Sequence, residues 1–387
     1  SELRGVTGLH TVIGLIFISS YAASSSGQDI YWAEFKPASC ASILIRHTLI
    51  GSTTIDTLVD STDNANRQVR LDAGARQIYW SEGSKVRRAN LDSPGIAEIV
   101  NVAAPLRLNG FVLDLVNGKI YWIEAAGVSP CANPNCPRIN RANLDGSSIE
   151  LVLALPVGNY NHSDIAVDGA AGKVYYSGRQ FSPFISRVNF DGSMVEPLLM
   201  TAVGGVSAIA LDVAAGKMYW IEAEGTIPGD SRIRVGNLDT SAPQDIVSFI
   251  DSRPRPKFLA LDSACNRLYW SFAGFCPNDT GEIRRTNLTT KAEEILLTGL
   301  AGETNGIAVN AGADSDADGT ADCNDGCPSD ANKISPGTCG CGVADTDTNG
   351  DGVPDCSVQT PAACCAPATP AALMVAPLLF LGLKRSV

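Results

Sequence analysis

Two short stretches of this chain repeat one spacing of oxygen-bearing side chains. Asp314-x-Asp316-x-Asp318-Gly319-x-x-Asp322 runs directly into Cys323, and Asp347-x-Asn349-x-Asp351-Gly352-x-x-Asp355 runs into Cys356. Alternate carboxylates, with glycine at the sixth place to let the backbone turn sharply, aim several hard oxygen ligands at one point. Calcium, with its flexible shell of about six to eight oxygens, accepts this, whereas magnesium demands a stricter octahedron. Asp325, Asp330 and Asp345 are close enough in sequence to add ligands. Neither stretch has Glu at the twelfth place or flanking helical sequence, so an ordinary EF-hand is not expected. Residues 312–356 hold ten Asp, no Glu and one Lys, so most of the net charge of −12 resides there. With so little apolar surface, the segment cannot offset its chain entropy unaided. Structural Ca2+ and disulfides are the expected replacement for a core.

Other reactive constellations are missing. The sequence has only His10, His47 and His162 for imidazole chemistry, and no Gly-x-Ser-x-Gly elbow, His-Glu-x-x-His pair or phosphate loop. There is no basic footprint for a phosphate backbone, which argues against nucleic acid as a partner. Twelve cysteines, several in polar surroundings, point to an oxidising compartment outside the cytoplasm.

The rest of the chain is organised by a repeat. IYWAE (30–34), IYWSE (78–82), IYWIE (120–124), VYYSG (174–178), MYWIE (218–222) and LYWSF (268–272) recur at intervals of 42 to 54 residues. Each copy except the first follows an apolar strand that ends in Asp and a tight turn: VRLDAGARQ, FVLDLVNGK, IAVDGAAGK, IALDVAAGK and LALDSACNR. Each is followed by a third strand, a polar turn such as NLDGSS, and a fourth apolar strand. Alternating apolar positions between Gly, Asn and Asp turns read as strands, and the period suits four-stranded propeller blades. The first copy lacks an inner strand upstream, while an orphan, GIAVNAGA (306–313), has no aromatic strand after it. The expected fold class is therefore all-β, a six-bladed β-propeller closed by its last strand, which leaves no open radial edge. The aromatics, recurring in every blade, are expected to pack between blades. Asp72, Asp114, Asp168, Asp212 and Asp262 share one blade position and are expected to hold turns.

The aromatic strings resemble the YWTD repeats of low-density-lipoprotein-receptor class B propellers over about residues 28–311. The resemblance implies an extracellular, ligand-binding propeller. Where that family ends its string in Asp, this chain has Glu34, Glu82, Glu124 and Glu222, with Gly178 and Phe272 in the other two copies. The epidermal-growth-factor module that usually follows is missing, so cargo release by acid is not implied. The acidic segment, with its intervening CNDGCPSDANKISPGTCGCG, resembles thrombospondin type 3 repeats or their bacterial equivalents.

Strand direction puts the connections after strands two and four on one end of the ring, and those after strand two are long in five blades. Asn66, Asn109, His162, Lys257 and Asn305 precede the inner strands at that end and nominate it as the ligand face. The same directions sort the cysteines. Cys131 and Cys136 share one connection and can bridge locally. Cys40 and Cys276 occupy equivalent connections of blades one and six, neighbours once the ring closes. Cys265 and Cys276 are separated by a strand of about 20 Å, too far for a bridge that needs Cα atoms within about 7 Å. The propeller and the acidic segment then each hold an odd number of cysteines. One bridge between them, Cys265 to Cys323, satisfies both counts, and a free buried Cys265 is the alternative.

The ends carry different signals. Residues 1–26, with Arg4, the apolar run Val12–Ile18 and small residues to Gly27, resemble a signal peptide cleaved near Ala22 or Ala23. The propeller then occupies 27–311 and the calcium module 312–356. In 357–387, Cys364 and Cys365 precede a short apolar run, Ala371–Leu383, and then Lys384 and Arg385. This resembles a bacterial C-terminal sorting signal, with a simple hydrophobic anchor as the alternative; the membrane is expected to be met only through this tail. The expected function is non-enzymatic: a secreted or cell-surface, bacterial-type binding or adhesion module that presents a protein or glycan ligand face on a calcium-stabilised stalk. The alternative is a metal-dependent, lactonase-like hydrolase with an ion in the propeller channel.

Overall fold

A computed structural model of the chain describes residues 28–35, 43–61, 68–92, 95–126, 136–155, 161–179, 183–200, 205–223, 231–249, 256–272, 280–301 and 304–357. The signal segment, the C-terminal tail, Asn66, Cys40, Cys131, Cys276 and the side chain of His162 lie outside the described residues.

Six four-stranded antiparallel sheets form the ring. Blade one joins β1 (Asp29–Phe35), β2 (Ile43–Leu49) and β3 (Asp56–Ser61) to β24 (Thr304–Val309). Blade two is β4 (Val69–Asp72), β5 (Gln77–Glu82), β6 (Lys85–Asn90) and β7 (Ile96–Asn101); blade three is β8 (Leu106–Asp114), β9 (Lys119–Ala126), β10 (Arg138–Asn143) and β11 (Glu150–Ala154). Blade four is β12 (Asn161–Asp168), β13 (Lys173–Arg179), β14 (Pro183–Asn189) and β15 (Glu196–Met200); blade five is β16 (Gly205–Asp212), β17 (Lys217–Ala223), β18 (Arg232–Asn237) and β19 (Gln244–Ser248). Blade six is β20 (Pro256–Asp262), β21 (Arg267–Phe272), β22 (Thr280–Asn287) and β23 (Glu293–Ala301). The aromatic strings are the second strands, and β24 is the inner strand of blade one, paired with β1 from Ile30–Val309 to Glu34–Thr304.

The core lies between blades. Tyr31 and Ile45 of blade one pack with Val69, Ile78 and Trp80 of blade two, and Ile30 and Trp32 pack with Tyr269 and Ile283 of blade six. All five tryptophans are fully buried. Side chains two apart on a strand share a face, so each string's Glu lies beside its Trp. Trp32, Trp80, Trp122 and Trp220 donate their indole N–H to Glu34, Glu82, Glu124 and Glu222 at 2.9–3.2 Å. Arginines on the third strand close the group, as in Arg46–Glu34 at 2.8 Å and Arg138–Glu124 at 2.9 Å. In blade six, where Phe272 stands in place of Glu, Trp270 donates to the Thr286 hydroxyl at 3.0 Å and Arg284 lies over both rings.

The recurrent Asp residues hold the turns after the inner strands. Asp72, Asp114, Asp168, Asp212 and Asp262 each accept the backbone N–H three residues on, at 2.9–3.1 Å. The opposite Asp–Gly turns also set blade spacing. A Cβ on Gly146 would stand 2.2 Å from the Ile99 carbonyl oxygen, and one on Gly192 the same distance from that of Val152. Both glycines have φ near +80°, which other residues rarely adopt.

The acidic module is tied to the turn between β20 and β21. Cys265 and Cys323 form a disulfide with Cα atoms 5.7 Å apart. Asn324 donates to the Ala264 carbonyl at 2.9 Å, and Gly312 donates to Asp262 at 3.1 Å. Cys327–Cys341 and Cys339–Cys356 staple the module internally. Cys136 is disulfide-bonded, and its expected partner, Cys131, lies outside the described residues. No helix among the described residues is long and apolar enough to cross a membrane.

Candidate functional site

The first acidic loop gathers its ligands. The carboxylates of Asp314, Asp316 and Asp318 lie within 4.8 Å of one another. Gly319 N–H bonds Asp314 at 2.9 Å, and Thr320 N–H bonds Asp318 at 2.7 Å, so the backbone holds these side chains in place. Asp325 is 8% exposed; it spends one oxygen on the Cys327 N–H at 2.7 Å, while its Oδ2 is buried without a partner, as are Asp314 Oδ1 and Asp316 Oδ2. Desolvation raises the Asp316 pKa, aided by the nearby Asp318 and Asp325 carboxylates. Buried carboxylate oxygens without donors are costly unless a cation meets them. The donor set is all oxygen, which suits a hard ion.

The second loop copies the backbone of the first but uses its side chains differently. Gly352 N–H bonds Asp347 at 2.7 Å, and Val353 N–H bonds Asp351 at 2.8 Å, as at Gly319 and Thr320. Asn349 donates to Asp351 at 2.9 Å, so these side chains partly satisfy each other. Asp322 and Asp355 accept from Ser315 and Thr348 at 2.7 Å. Asp330 accepts from Gly342 N–H at 2.7 Å, and Asp345 accepts from Cys339 N–H at 2.7 Å and pairs with Lys333 at 3.1 Å. Of the residues expected as ligands, the structure thus converges Asp314, Asp316 and Asp318, with buried Asp325, and leaves Asp322, Asp345 and Asp355 holding loops.

At the ligand-face end of the ring, bulges interrupt five inner strands, at Asn109, Ser163, Ser207, Lys257 and Gly306. Bulges re-aim side chains. Lys257 reaches the Asn305 side chain at 3.3 Å across the closure between blades six and one. The connections 36–42, 127–135, 180–182, 224–230 and 273–279, all outside the described residues, leave from strand ends on this same side.

A polar cluster that sequence reasoning missed crosses the channel nearby. Gln68 accepts the Phe111 N–H at 2.7 Å and donates to Asp164 at 2.7 Å. Asp164 also accepts from Ile209 N–H at 3.0 Å and from Arg70 at 3.3 Å. One chain of bonds thereby links blades two, three, four and five. Gly110 lies directly against Gln68 and Asp164, at the distance of ordinary packing contact. Burial pushes the Asp164 carboxyl up, opposed by Arg70, and pushes the Arg70 guanidinium down. A register comparison contains the signal. Four residues before the strand-end Asp or Asn stand Gln68, Gly110, Asp164, Ala208, Phe258 and Gly306; two before it stand Arg70, Val112, Ala166, Ala210, Ala260 and Ala308. Asp164 and Arg70 are the single charges in their rows.

Over 236 residues the chain is 30% identical to low-density lipoprotein receptor-related protein 1 of Pyricularia oryzae, covering 57% of this chain and 61% of that protein. Over 84 residues it is 33% identical to a human low-density lipoprotein receptor-related protein 5-like protein, covering 21% of this chain and 33% of that protein. The ring is similar to receptor-related YWTD propellers. Both matches cover less than two thirds of the relative, and both relatives are eukaryotic. A chain of a crystallised nidogen/laminin complex shares the fold with a TM-score of 0.55 at 16% identity, covering 73% of this chain and 98% of that one. No family model matches the chain. In this YWTD-like ring, the substitution of Glu for the family's Asp has a visible use, the bond back to the neighbouring indole.

Proposed function

We propose that the chain is an extracellular or cell-surface binding module that takes a protein partner on the end of the ring bearing the long connections, and that it works without catalysis. The observation that carries this reading is that the repeated carboxylates are spent on structure. The five turn Asp residues and the four Glu residues beside Trp are bonded within their blades, and Asp164 is already met by Gln68, Arg70 and Ile209. A lactonase-like site would need several unlike ligands converging on the channel, and among the described residues Asp164 is the one carboxylate of the two inner-strand rows. The nidogen/laminin pair is a precedent for a fold of this kind in a protein complex, and the disulfides fit an oxidising exterior. The module's Asp314, Asp316, Asp318 and Asp325 are the residues we assign to calcium, which would supply charge neutralisation to a segment without a core.

The test is capture of partners from the producer's surface material by the full chain, repeated with 224–230 replaced by a short Gly-Ser turn. Loss of a captured protein in that variant supports the assigned end. A captured glycan, unchanged capture by the variant, or turnover of lactones or phosphoesters would overturn the reading.

A further inference from the structure

The inner strands pair on one side only, so their other edges, with N–H and C=O groups outside the strand ladders, face the ring axis. They enclose a cavity of about 270 Å³ lined by the second halves of all six inner strands, including Ala166, Ala210, Ala260 and Ala308. Backbone edges contribute donors and acceptors alike, and the walls are otherwise apolar. Arg70 is the one charged side chain in the lining, and Asp164 does not line it.

Arg70 is incompletely used by the protein. It donates to the Val69 carbonyl at 3.0 Å and to Asp164 at 3.3 Å. The second distance is long for a charge-assisted bond, which is ordinarily about 2.7–2.9 Å. A guanidinium has about five N–H donors in a fixed fork, so the remainder have no acceptor among the described residues. The Phe111 ring lies beneath the group at 5.7 Å and holds it in place. The side chain keeps 19% exposure, although it stands well inside the ring.

We infer that the channel cavity is a binding site for a small organic carboxylate, whose charged end is met by the Arg70 fork and whose short aliphatic or single-ring body rests on the alanines of blades four, five, six and one. The match is one of chemistry: a planar fork receives a planar carboxylate through two bonds, and a narrow apolar wall accepts a compact body. The inference is independent of the partner proposed for the outer face.

Calorimetric titration of the full chain with isobutyrate and benzoate, set against isobutyramide and benzamide, tests it. Carboxylates are expected to bind at least about tenfold more tightly than the amides of the same shape, because bonds to charged groups are the stronger ones. Arg70→Gln is expected to abolish that preference, and transferred contacts from ligand to the methyl groups of Ala210 and Ala260 should place the ligand in the wild-type channel. If Arg70→Gln fails to fold, the acid-against-amide comparison and the methyl contacts decide alone. Equal affinity for acid and amide, binding that survives Arg70→Gln unchanged, contacts elsewhere, equal binding of inorganic phosphate, or no binding at all each overturns the proposal.

Discussion

Gln68 and Asp164, 96 positions apart and on blades two and four, meet side chain to side chain at 2.7 Å. The bond is the keystone of a set in which a buried carboxylate satisfies the inner-edge N–H of Ile209 and half-neutralises Arg70. Asp164→Ala should therefore cost about 3–5 kcal/mol, since it strands a guanidinium and an amide. The double change Asp164→Leu with Arg70→Met should cost less than Asp164→Ala alone, because no unpaired charge remains. Urea denaturation of the three proteins gives the comparison, and an equal loss in both variants would show that the pair is not coupled.

Glu124 accepts from the Trp122 indole at 3.0 Å and from Asn140 at 2.7 Å, and pairs with Arg138 at 2.9 Å. Glu124→Ala leaves these donors facing a void and should destabilise by about 2–4 kcal/mol. Glu124→Asp, which restores the family's residue, retracts the carboxylate by one methylene and should cost about 1–2 kcal/mol. Thermal unfolding monitored by tryptophan fluorescence should rank wild type above Asp and Asp above Ala.

Calcium removal should act on the module first. With chelator, protease cleavage between residues 312 and 356 should rise while the blades stay intact, and Asp325→Asn should weaken calcium binding by at least about tenfold, because a buried anionic ligand is lost. Mass mapping of the fragments reads the first and calorimetry the second. A digestion pattern indifferent to chelator would remove calcium from the account.

Acid should loosen the turns between third and fourth strands. Asp145, Asp191 and Asp239 accept the hydroxyl and the N–H of Ser147, Ser193 and Ser241, and these bonds, the hydroxyl foremost, hold each carboxyl below the ordinary Asp range. A depressed folded-state value stabilises the fold above about pH 4 and loses that contribution as pH falls through the lowered value. Carboxyl NMR titration should show Ser147→Ala raising the Asp145 midpoint while leaving Asp191 in place.

The fold was legible because the repeat is imposed by blade physics. Each second strand must bury an aromatic pair, each inner strand must end in a turn that an Asp can hold, and the surplus strand 306–313 had one vacancy to fill. The link from Cys265 to Cys323 followed from the same directions and from the odd cysteine counts. The channel was less legible, because its chemistry depends on which residues of different blades share a height. His162 and Asn109 drew attention as polar residues before a strand, yet the bulges move the register by one. Asp164 and Gln68, hidden among apolar neighbours, hold the cluster described above. The two acidic loops read alike in sequence. Their difference rests on Asn349 donating to Asp351 and on Asp325 arriving from outside the first loop.

The bond between Cys265 and Cys323 spans 58 positions and encloses β21 to β24 in a covalent circuit. Tension applied from beyond Cys323 passes through the sulfurs into the β20–β21 turn, and the enclosed strands carry none of it. β24 is thereby spared the shear that would peel it from β1. The closing strand, held to β1 by hydrogen bonds and by the packing of Ile307 and Val309 with Ile30 and Trp32, therefore lies outside the covalent path that runs from the acidic module into the ring.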